Sequence, residues 1–219
     1  MDVLARLEET RRSINVLEHP FYQRWSAGQL SDGELGRYAG EYRHAVRALA
    51  RTSRMAAEEA PAEHAEGLRL HAEEEDAHLA LWERFAGAAG AGQDGEGAPP
   101  PLPGTEACVR AWTAGDGLLE HLAVLYAIEG SQPEVSKTKL EGLATHYGYR
   151  REGPAGEYFR VHELLDVEHA REAGELIAEL TEGEEDPAEA AERMVARARA
   201  ALRGNWSLLD GVQSLAPAA

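Results

Sequence analysis

The chain has 219 residues and a formal net charge of −17, from 39 acidic and 22 basic side chains. A chain of this length can bury a full hydrophobic core, and we expect residues 1–219 to form a single domain. The acidic balance argues against nucleic acid and anionic membrane surfaces as partners, because both are bound by clustered Lys and Arg.

Targeting and disulfide signals are absent from the sequence. The N-terminal segment MDVLARLEETRRS lacks the apolar run of a signal peptide, and no stretch approaches the length of a membrane span. The single cysteine, Cys108, excludes an internal disulfide and is expected to be a small apolar core residue. We therefore expect a soluble, cytoplasmic protein.

Apolar residues recur at helical spacing almost throughout, and strand-like alternation is hard to find. Breaker signals predict about seven helices, roughly at 2–16, from 32 onward, 62–86, 105–129, 133–147, 155–182 and 187–213. HPFYQRW, around Pro20, is expected to form a short connection or an extra turn. Residues 86–104 read as a flexible Gly/Pro-rich loop, and 214–219 as a frayed tail. The fold class predicted is an all-α bundle.

Two helix starts carry specific capping signals. Ser31 is followed three residues later by Glu34, which predicts a capping box. Asp186 precedes Pro187, which predicts a cap followed by proline at the first helical position.

The segment HELLDVEH places three polar residues on one helical face. With 100° per residue, Asp166 lies about 40° from His162, and His169 about 20° to the other side. The same sector holds apolar residues, so these three side chains are expected to be buried. A buried Asp beside two imidazoles is costly unless something satisfies it, which favours a metal ion over a His–Asp hydrogen bond.

The helix predicted at 62–86 offers a similar face. Glu75 and His78 have the i, i+3 spacing used by helical di-iron sites, although that spacing alone is weakly specific. Glu74 lies about 40° from His78 and Glu75 about 60° to the other side, so Glu74 is an alternative ligand. His71 shares this face and is expected to pack or to support the ligands, because one helix rarely offers three consecutive turns to one ion.

A third helix contributes an acid on an apolar stripe. Glu129 lies within about 40° of Leu118, Leu122 and Leu125, and the alternative is a helix-end glutamate that reaches water. Glu120 and His121 lie off this stripe and are expected to be solvated. The predicted metal ligands are Glu75, His78, Glu129, His162, Asp166 and His169. Three carboxylates and three imidazoles suffice for two divalent ions, and this mixed donor set favours iron, then manganese.

Four segments carry a family resemblance: VLEHPFYQRWSAGQL, HLALWERF, YAIEGSQPEVSKTKLEGLATHYGY and YFRVHELLDVEHAREA. The sequence resembles the haem-oxygenase-like di-iron oxidase and oxygenase (HDO) superfamily, with its TenA/PqqC-like fold, and within it the chlamydial CADD-type self-sacrificing para-aminobenzoate synthases. The likeness covers nearly the whole chain. It implies a seven-helix haem-oxygenase-like bundle, a non-haem di-iron centre, O₂ as co-substrate and an external reductant.

The resemblance also assigns roles to individual residues. The family's ligands fall on His78, Glu129, His162, Asp166 and His169, whereas Glu75 has the shorter spacing of the relative UndA. The tyrosine that the CADD type cleaves to form the aromatic ring matches Tyr22. The lysine implicated there as amino donor matches Lys139. From the residues alone, Tyr22 would be a packing residue and Lys139 a surface charge.

Two positions depart from the CADD pattern. Arg43 and Ile128 stand where that family often has tyrosines, and if those tyrosines carry radicals, their absence argues against the self-sacrificing reaction. Another small-molecule substrate is then the alternative within the oxygenase class. A metal-free TenA/PqqC-like enzyme is a further alternative, although the TenA type needs a nucleophilic cysteine and Cys108 has no obvious base nearby. A non-enzymatic interaction protein is the third, and a homodimer is only the common default.

Overall fold

The computed structural model describes residues 2–92, 94–95 and 98–215. Within these residues the chain forms nine α-helices and two short 3₁₀ helices, and no β-strand. The α-helices are α1 Val3–Ser13, α2 Pro20–Ser26, α3 Asp32–Glu58, α4 Ala65–Ala88, α5 Pro103–Trp112, α6 Leu118–Glu129, α7 Gln132–His146, α8 Glu157–Glu182 and α9 Pro187–Ser214. The predicted all-α fold class is therefore confirmed. No helix in the described part of the chain is long and apolar enough to cross a membrane.

The structure has more helices than predicted, and the difference arises at two places in the chain. The segment around Pro20 is a separate helix, α2, because His19 caps it through its side chain and Pro20 occupies its first position. The single helix predicted over 105–129 is divided into α5 and α6. Gly117 lies between them with a φ of 97°, in the left-handed region where only glycine is unstrained.

The capping predictions hold in detail. Ser31 accepts from the Glu34 backbone, and the Glu34 side chain accepts from the Ser31 backbone N–H at 2.9 Å. The Asp186 side chain accepts from the backbone N–H groups of Ala188 and Glu189, at 3.1 and 3.0 Å. These contacts satisfy backbone donors that the first turn of a helix leaves without intrahelical partners.

The predicted loop and tail fall partly outside the described residues. No helix is assigned in the described part of 89–102, and Arg43 on α3 donates to the Gly92 carbonyl at 3.4 Å. Residues 93, 96 and 97 of the predicted loop lie outside the described residues. The same is true of 216–219 in the predicted tail, whereas Ser214 still belongs to α9.

Helix α6 lies at the centre of the bundle. It packs against α1, α3, α7, α8 and α9, and its sequence from Leu122 to Glu129 is buried apart from Tyr126. Helix α8 packs against α4, α6 and α7, so α4, α6 and α8 meet around one interior region. A helix covered on most sides buries polar side chains as well as its apolar stripe. This arrangement decides the environment of the polar residues predicted on all three helices.

Candidate metal centre

Helix α8 turns the HELLDVEH face inward. His162, Asp166 and His169 are buried, whereas Leu165, Val167 and Glu168 between them are exposed. The predicted helical face is therefore the buried one. Its three polar side chains point into the region between α4 and α6 rather than into an apolar contact.

Helix α4 brings Glu75 and His78 to the same place. Both side chains are buried, and His78 Nδ1 lies 2.9 Å from Glu75 Oε1. Glu74, the alternative first carboxylate, has a side chain that is 52% exposed and lies against the outer nitrogen of His169, with Glu74 Oε2 3.0 Å from His169 Nε2. Of the two glutamates, Glu75 is the one that faces the interior.

Glu129 is completely buried at the end of α6. The alternative of a helix-end glutamate that reaches water is therefore wrong, because the helices packed against α6 leave this side chain no exposed surface. His71 Nε2 lies 3.0 Å from Glu129 Oε1. His71 was expected to pack or to support the ligands, and its imidazole faces this carboxylate directly.

The donor atoms form two groups, and a third group shares one residue with each of them. One group is Glu75, His78 and His162, and another is His71, Glu129 and His169; in each, the donor atoms lie within 4.8 Å of one another. A third grouping, of Glu75, Asp166 and His169, joins the two. The six predicted ligands thus converge, together with His71. Mixed imidazole and carboxylate donors at such separations suit two divalent transition-metal ions.

Many of these donor atoms have no hydrogen bond within the described residues. They are Glu75 Oε2, both oxygens of Glu129 and of Asp166, His71 Nε2, His162 Nε2 and His169 Nδ1. Buried polar atoms are nearly always paired, so a cluster of this size needs an explanation. Divalent cations bound among them would satisfy the carboxylates and the imidazoles together, and the residues present therefore fit a metal centre.

Two of the predicted ligands, His162 and Glu75, are held in the protonation state that a metal ion requires. Burial lowers the pKa of His162 to about 4, so its imidazole is neutral, as a metal ligand must be. Burial would raise the pKa of Glu75, but the hydrogen bond with His78 and the neighbouring imidazoles outweigh it and lower the pKa to about 2. Burial also holds the pKa of Asp166 well above its usual range, an effect that a bound cation would reverse.

Second partners orient two of the imidazoles. His162 Nδ1 donates to the carbonyl of Tyr158 at 2.8 Å, which leaves Nε2 for the cluster. His169 Nε2 lies against Glu74, which leaves Nδ1 on the side of Asp166, 3.7 Å from its Oδ1. Metal-binding histidines usually donate their other ring N–H in this way, to a carbonyl or a carboxylate.

A second polar feature lies deeper in the bundle. Lys139 is one of only two lysines in the chain and is 1% exposed. Its Nζ lies 4.8 Å from the ring centroid of Tyr22, 5.2 Å from that of Tyr38 and 4.7 Å from that of Tyr42. Burial lowers the pKa of Lys139 to about 7. Near neutral pH a large share of this amine is therefore unprotonated and nucleophilic.

The surface position expected for Lys139 from the residues alone is therefore wrong. On α7 the buried positions include 132, 135, 136, 139 and 143, which follow the helical period and include 139. That periodicity was the available signal. Trp25 on α2 donates to the Lys139 carbonyl at 3.1 Å, so α2 covers this face of α7.

Contacting aromatic rings connect Tyr22 with the predicted metal ligands. The Tyr22 and Tyr38 hydroxyls are 2.9 Å apart, and the ring centroids of Tyr38 and Trp82 are 6.0 Å apart. The ring centroids of Trp82 and Tyr158 are 4.8 Å apart, and Tyr158 stacks on His162 with their ring centroids 3.9 Å apart. Tyr22 is therefore both a packing residue and one end of a continuous aromatic path.

Three other polar or reactive residues were assigned from the sequence. Glu120 and His121 were expected to be solvated, but both are buried, because α6 is covered on this side too. Glu120 pairs with Arg197 at 3.1 Å, and His121 with Glu59 at 2.9 Å. Cys108 is buried as predicted, and burial raises the pKa of its thiol, which argues against a nucleophilic role.

Comparison with known proteins places the chain in a family. A 4-aminobenzoate synthase of Chlamydia muridarum is 32% identical over 205 residues, covering 89% of this chain and 86% of that protein. A 4-aminobenzoate synthase of Nitrosomonas europaea is 30% identical over 220 residues, covering 92% and 87%. A TenA homologue from Pseudomonas syringae superposes with a TM-score of 0.82 at 17% identity, covering 97% of this chain and 91% of its own, and supports the fold. Residues 71–205 match the family described as iron-containing redox enzymes, and the chain belongs to this haem-oxygenase-like family.

Proposed function

We propose that this protein is a non-haem di-iron enzyme that uses O₂ to convert its own Tyr22 into 4-aminobenzoate, with Lys139 as the amino donor. The observation that carries the specific reaction is the buried contact between the two side chains, with Lys139 Nζ 4.8 Å from the Tyr22 ring centroid. The similarity to 4-aminobenzoate synthases supports the choice of product.

The proposed ligands are the six predicted residues that converge between α4, α6 and α8. They are Glu75, His78, Glu129, His162, Asp166 and His169. Iron is the preferred metal, with manganese able to replace one or both ions, because the donors are imidazole and carboxylate without thiolate. Bound there, the metal pair supplies the electrons and the coordination positions for reducing O₂, and an external reductant restores it.

The atoms of tyrosine map directly onto those of the product. 4-Aminobenzoate is a benzene ring with a carboxyl carbon para to nitrogen, and the tyrosine side chain is a ring with Cβ para to oxygen. The proposal therefore breaks the Cα–Cβ bond of Tyr22 and the Cε–Nζ bond of Lys139, with O₂ as the oxidant. Cβ is oxidised to the carboxylate, and Nζ takes the place of the phenol oxygen, which leaves as water. The enzyme is consumed in one turnover.

The surroundings of Lys139 suit an amino donor. Apolar and aromatic neighbours keep the amine poorly solvated, which lowers its pKa to about 7 and makes the free base available. The chain's other lysine, Lys137, is exposed on the same helix. Lys139 is thus the lysine with both the position and the protonation state that the reaction requires.

The aromatic path takes the place of the tyrosines that are absent at positions 43 and 128. Arg43 is buried and paired with Glu83 at 2.7 Å, and Ile128 belongs to the apolar core. Neither can carry a radical. The contacts from His162 through Tyr158, Trp82 and Tyr38 to Tyr22 provide redox-active rings in their place.

A single-turnover experiment tests the proposal. Metal-free protein is loaded with Fe(II) without oxygen and exposed to O₂ with a reductant, and free 4-aminobenzoate is measured by mass spectrometry. We expect two irons per chain by elemental analysis, a transient visible absorption band and a mass loss in the peptide that contains Tyr22. Tyr22→Phe and Lys139→Arg should each abolish the product, whereas Tyr126→Phe and Lys137→Arg should not.

A growth test gives an independent check. Wild type should rescue a strain that cannot make 4-aminobenzoate, and Tyr22→Phe should not. Equal production by Tyr22→Phe and wild type would exclude Tyr22 as the source of the ring. Fewer than one iron per chain after loading would refute the di-iron centre itself.

A further inference from the structure

We propose that His71 is a metal ligand and that it binds the same ion as Glu129 and His169, so that α4 and α8 hold the metal pair with matching three-residue sets. This inference rests on the proposed dinuclear centre and deepens it. It adds a seventh protein ligand to the six predicted ones, and it assigns that ligand to one of the two ions.

The first observation is a spacing shared by two helices. On α4, His71, Glu75 and His78 are separated by four and three residues; on α8, His162, Asp166 and His169 have the same separations. Each segment is a His-x-x-x-acid-x-x-His stretch with its polar residues on one helical face. The two helices thus present the same order of imidazole, carboxylate and imidazole.

The second observation is how the two stretches meet. The ring centroids of His71 and His169 are 4.4 Å apart, and those of His78 and His162 are 4.5 Å apart. The first imidazole of each helix therefore meets the last imidazole of the other, as in an antiparallel pair. Glu75 and Asp166 lie in the middle and fall within one donor grouping. Each imidazole pair combines one ring from α4 with one from α8.

The third observation is the state of the His71 ring itself. Its Nε2 is buried and lies 3.0 Å from Glu129 Oε1, yet neither atom has a partner at hydrogen-bonding geometry within the described residues. Both oxygens of Glu129 are in the same condition. Close donor atoms that are not hydrogen-bonded to each other are expected where a cation completes the contact.

The objection that one helix rarely offers three turns to a single ion does not apply to two ions. In this proposal His78 and Glu75 bind one ion together with His162. His71 binds the other ion together with Glu129 and His169. Each ion then takes two imidazoles and one carboxylate, and Asp166 lies between the two groups. Glu75 supplies the carboxylate of the group that contains His78, and Glu129 supplies the carboxylate of the group that contains His71.

A cavity beside His71 makes the proposal testable by chemical rescue. The cavity has a volume of about 340 Å³ and is lined by His71 and His169 together with Leu68, Leu122 and Leu125. It is open toward the surface, so a small molecule such as imidazole can reach position 71 if the native ring is removed.

The experiment is an oxygen-free Co(II) titration, followed by elemental analysis and by visible absorption of the bound ions. Wild type should bind two Co(II) per chain. His71→Ala should bind one with high affinity, and added imidazole should restore the second ion and its absorption band. The matched control is His64→Ala, which removes an imidazole that lines the same cavity at the start of α4 and pairs with Glu179 at 3.0 Å. It should bind two ions.

Circular dichroism and a thermal melt establish that His71→Ala is folded before it is titrated. Two ions bound with unchanged affinity by a folded His71→Ala protein would overturn the proposal, as would loss of both ions or loss of one that imidazole cannot restore. These results leave the proposed function intact if wild type binds two. Failure of wild type itself to bind two ions would instead refute the di-iron centre.

Discussion

The buried amine of Lys139 should make the stability of the protein depend on pH in a defined direction. Burial lowers its pKa from 10.5 to about 7, which corresponds to roughly 5 kcal/mol of destabilisation when the folded protein must hold the charge. Cation–π attraction to the rings around Nζ offsets about 0.5–2 kcal/mol of this destabilisation. Lys139→Met removes the charge and keeps an unbranched side chain of similar length, so packing is largely preserved.

The direction follows from proton binding in the two states. Below the folded pKa of about 7, folded and unfolded chains both carry the proton, and wild type bears the whole penalty. Between about 7 and 10.5 the unfolded chain binds more protons than the folded one, so the free energy of unfolding rises with pH. Lys139→Met should therefore be more stable than wild type by roughly 3–5 kcal/mol near pH 6, and this gain should shrink by about 3 kcal/mol near pH 9.5.

Urea unfolding of metal-free protein, followed by circular dichroism at both pH values, measures the two differences. Lys137→Met is the control, because Lys137 is exposed on the same helix and its replacement should change stability by less than about 0.5 kcal/mol at either pH. A gain for Lys139→Met that is equal at both pH values would refute the reasoning. So would a loss of stability near pH 6, since it would mean that the folded protein stabilises the charged amine.

Further expectations concern the metal ligands and the helix contacts. Glu74→Gln weakens the partner that holds His169, and should lower Co(II) affinity by about 10-fold in a competition titration, whereas Glu73→Gln should not. An unchanged affinity would show that Glu74 does not orient the ring. Co(II) at about 100 times its dissociation constant should raise the free energy of unfolding by about 2.7 kcal/mol, and a chelator should reverse this. Gly104→Ala should destabilise by about 1–3 kcal/mol in urea, because a Cβ there would overlap the Ser207 carbonyl oxygen; a neutral result would exclude this close packing of α5 on α9.

Much of the candidate metal centre could be predicted because the spacing of residues along a helix determines the direction in which their side chains point. The rotation of 100° per residue places His162, Asp166 and His169 on one face, and Glu75 with His78 on another, whatever the helices pack against. Helix starts at Ser31 and Asp186 were predictable for a similar reason, since a cap acts within one turn. These features depend on the local chain alone.

Other features depended on which helices are neighbours. Lys139 lies on a face whose periodicity is visible in the sequence, but only the covering of that face by α2 turns a cation into a buried amine. His71 is a candidate ligand only because it contacts Glu129 and His169, which lie 58 and 98 residues further along the chain. The burial of Glu120 and His121 follows in the same way from the central place of α6.

The sequence by itself thus determined the all-α fold class, the main helices and the polar faces that α4 and α8 present. The tertiary structure decided which of those faces meet, which side chains lose contact with water and which donor atoms converge. The physical reason is that helical direction is set by bonds within a turn, whereas desolvation and metal-binding geometry are set by side chains from distant parts of the chain.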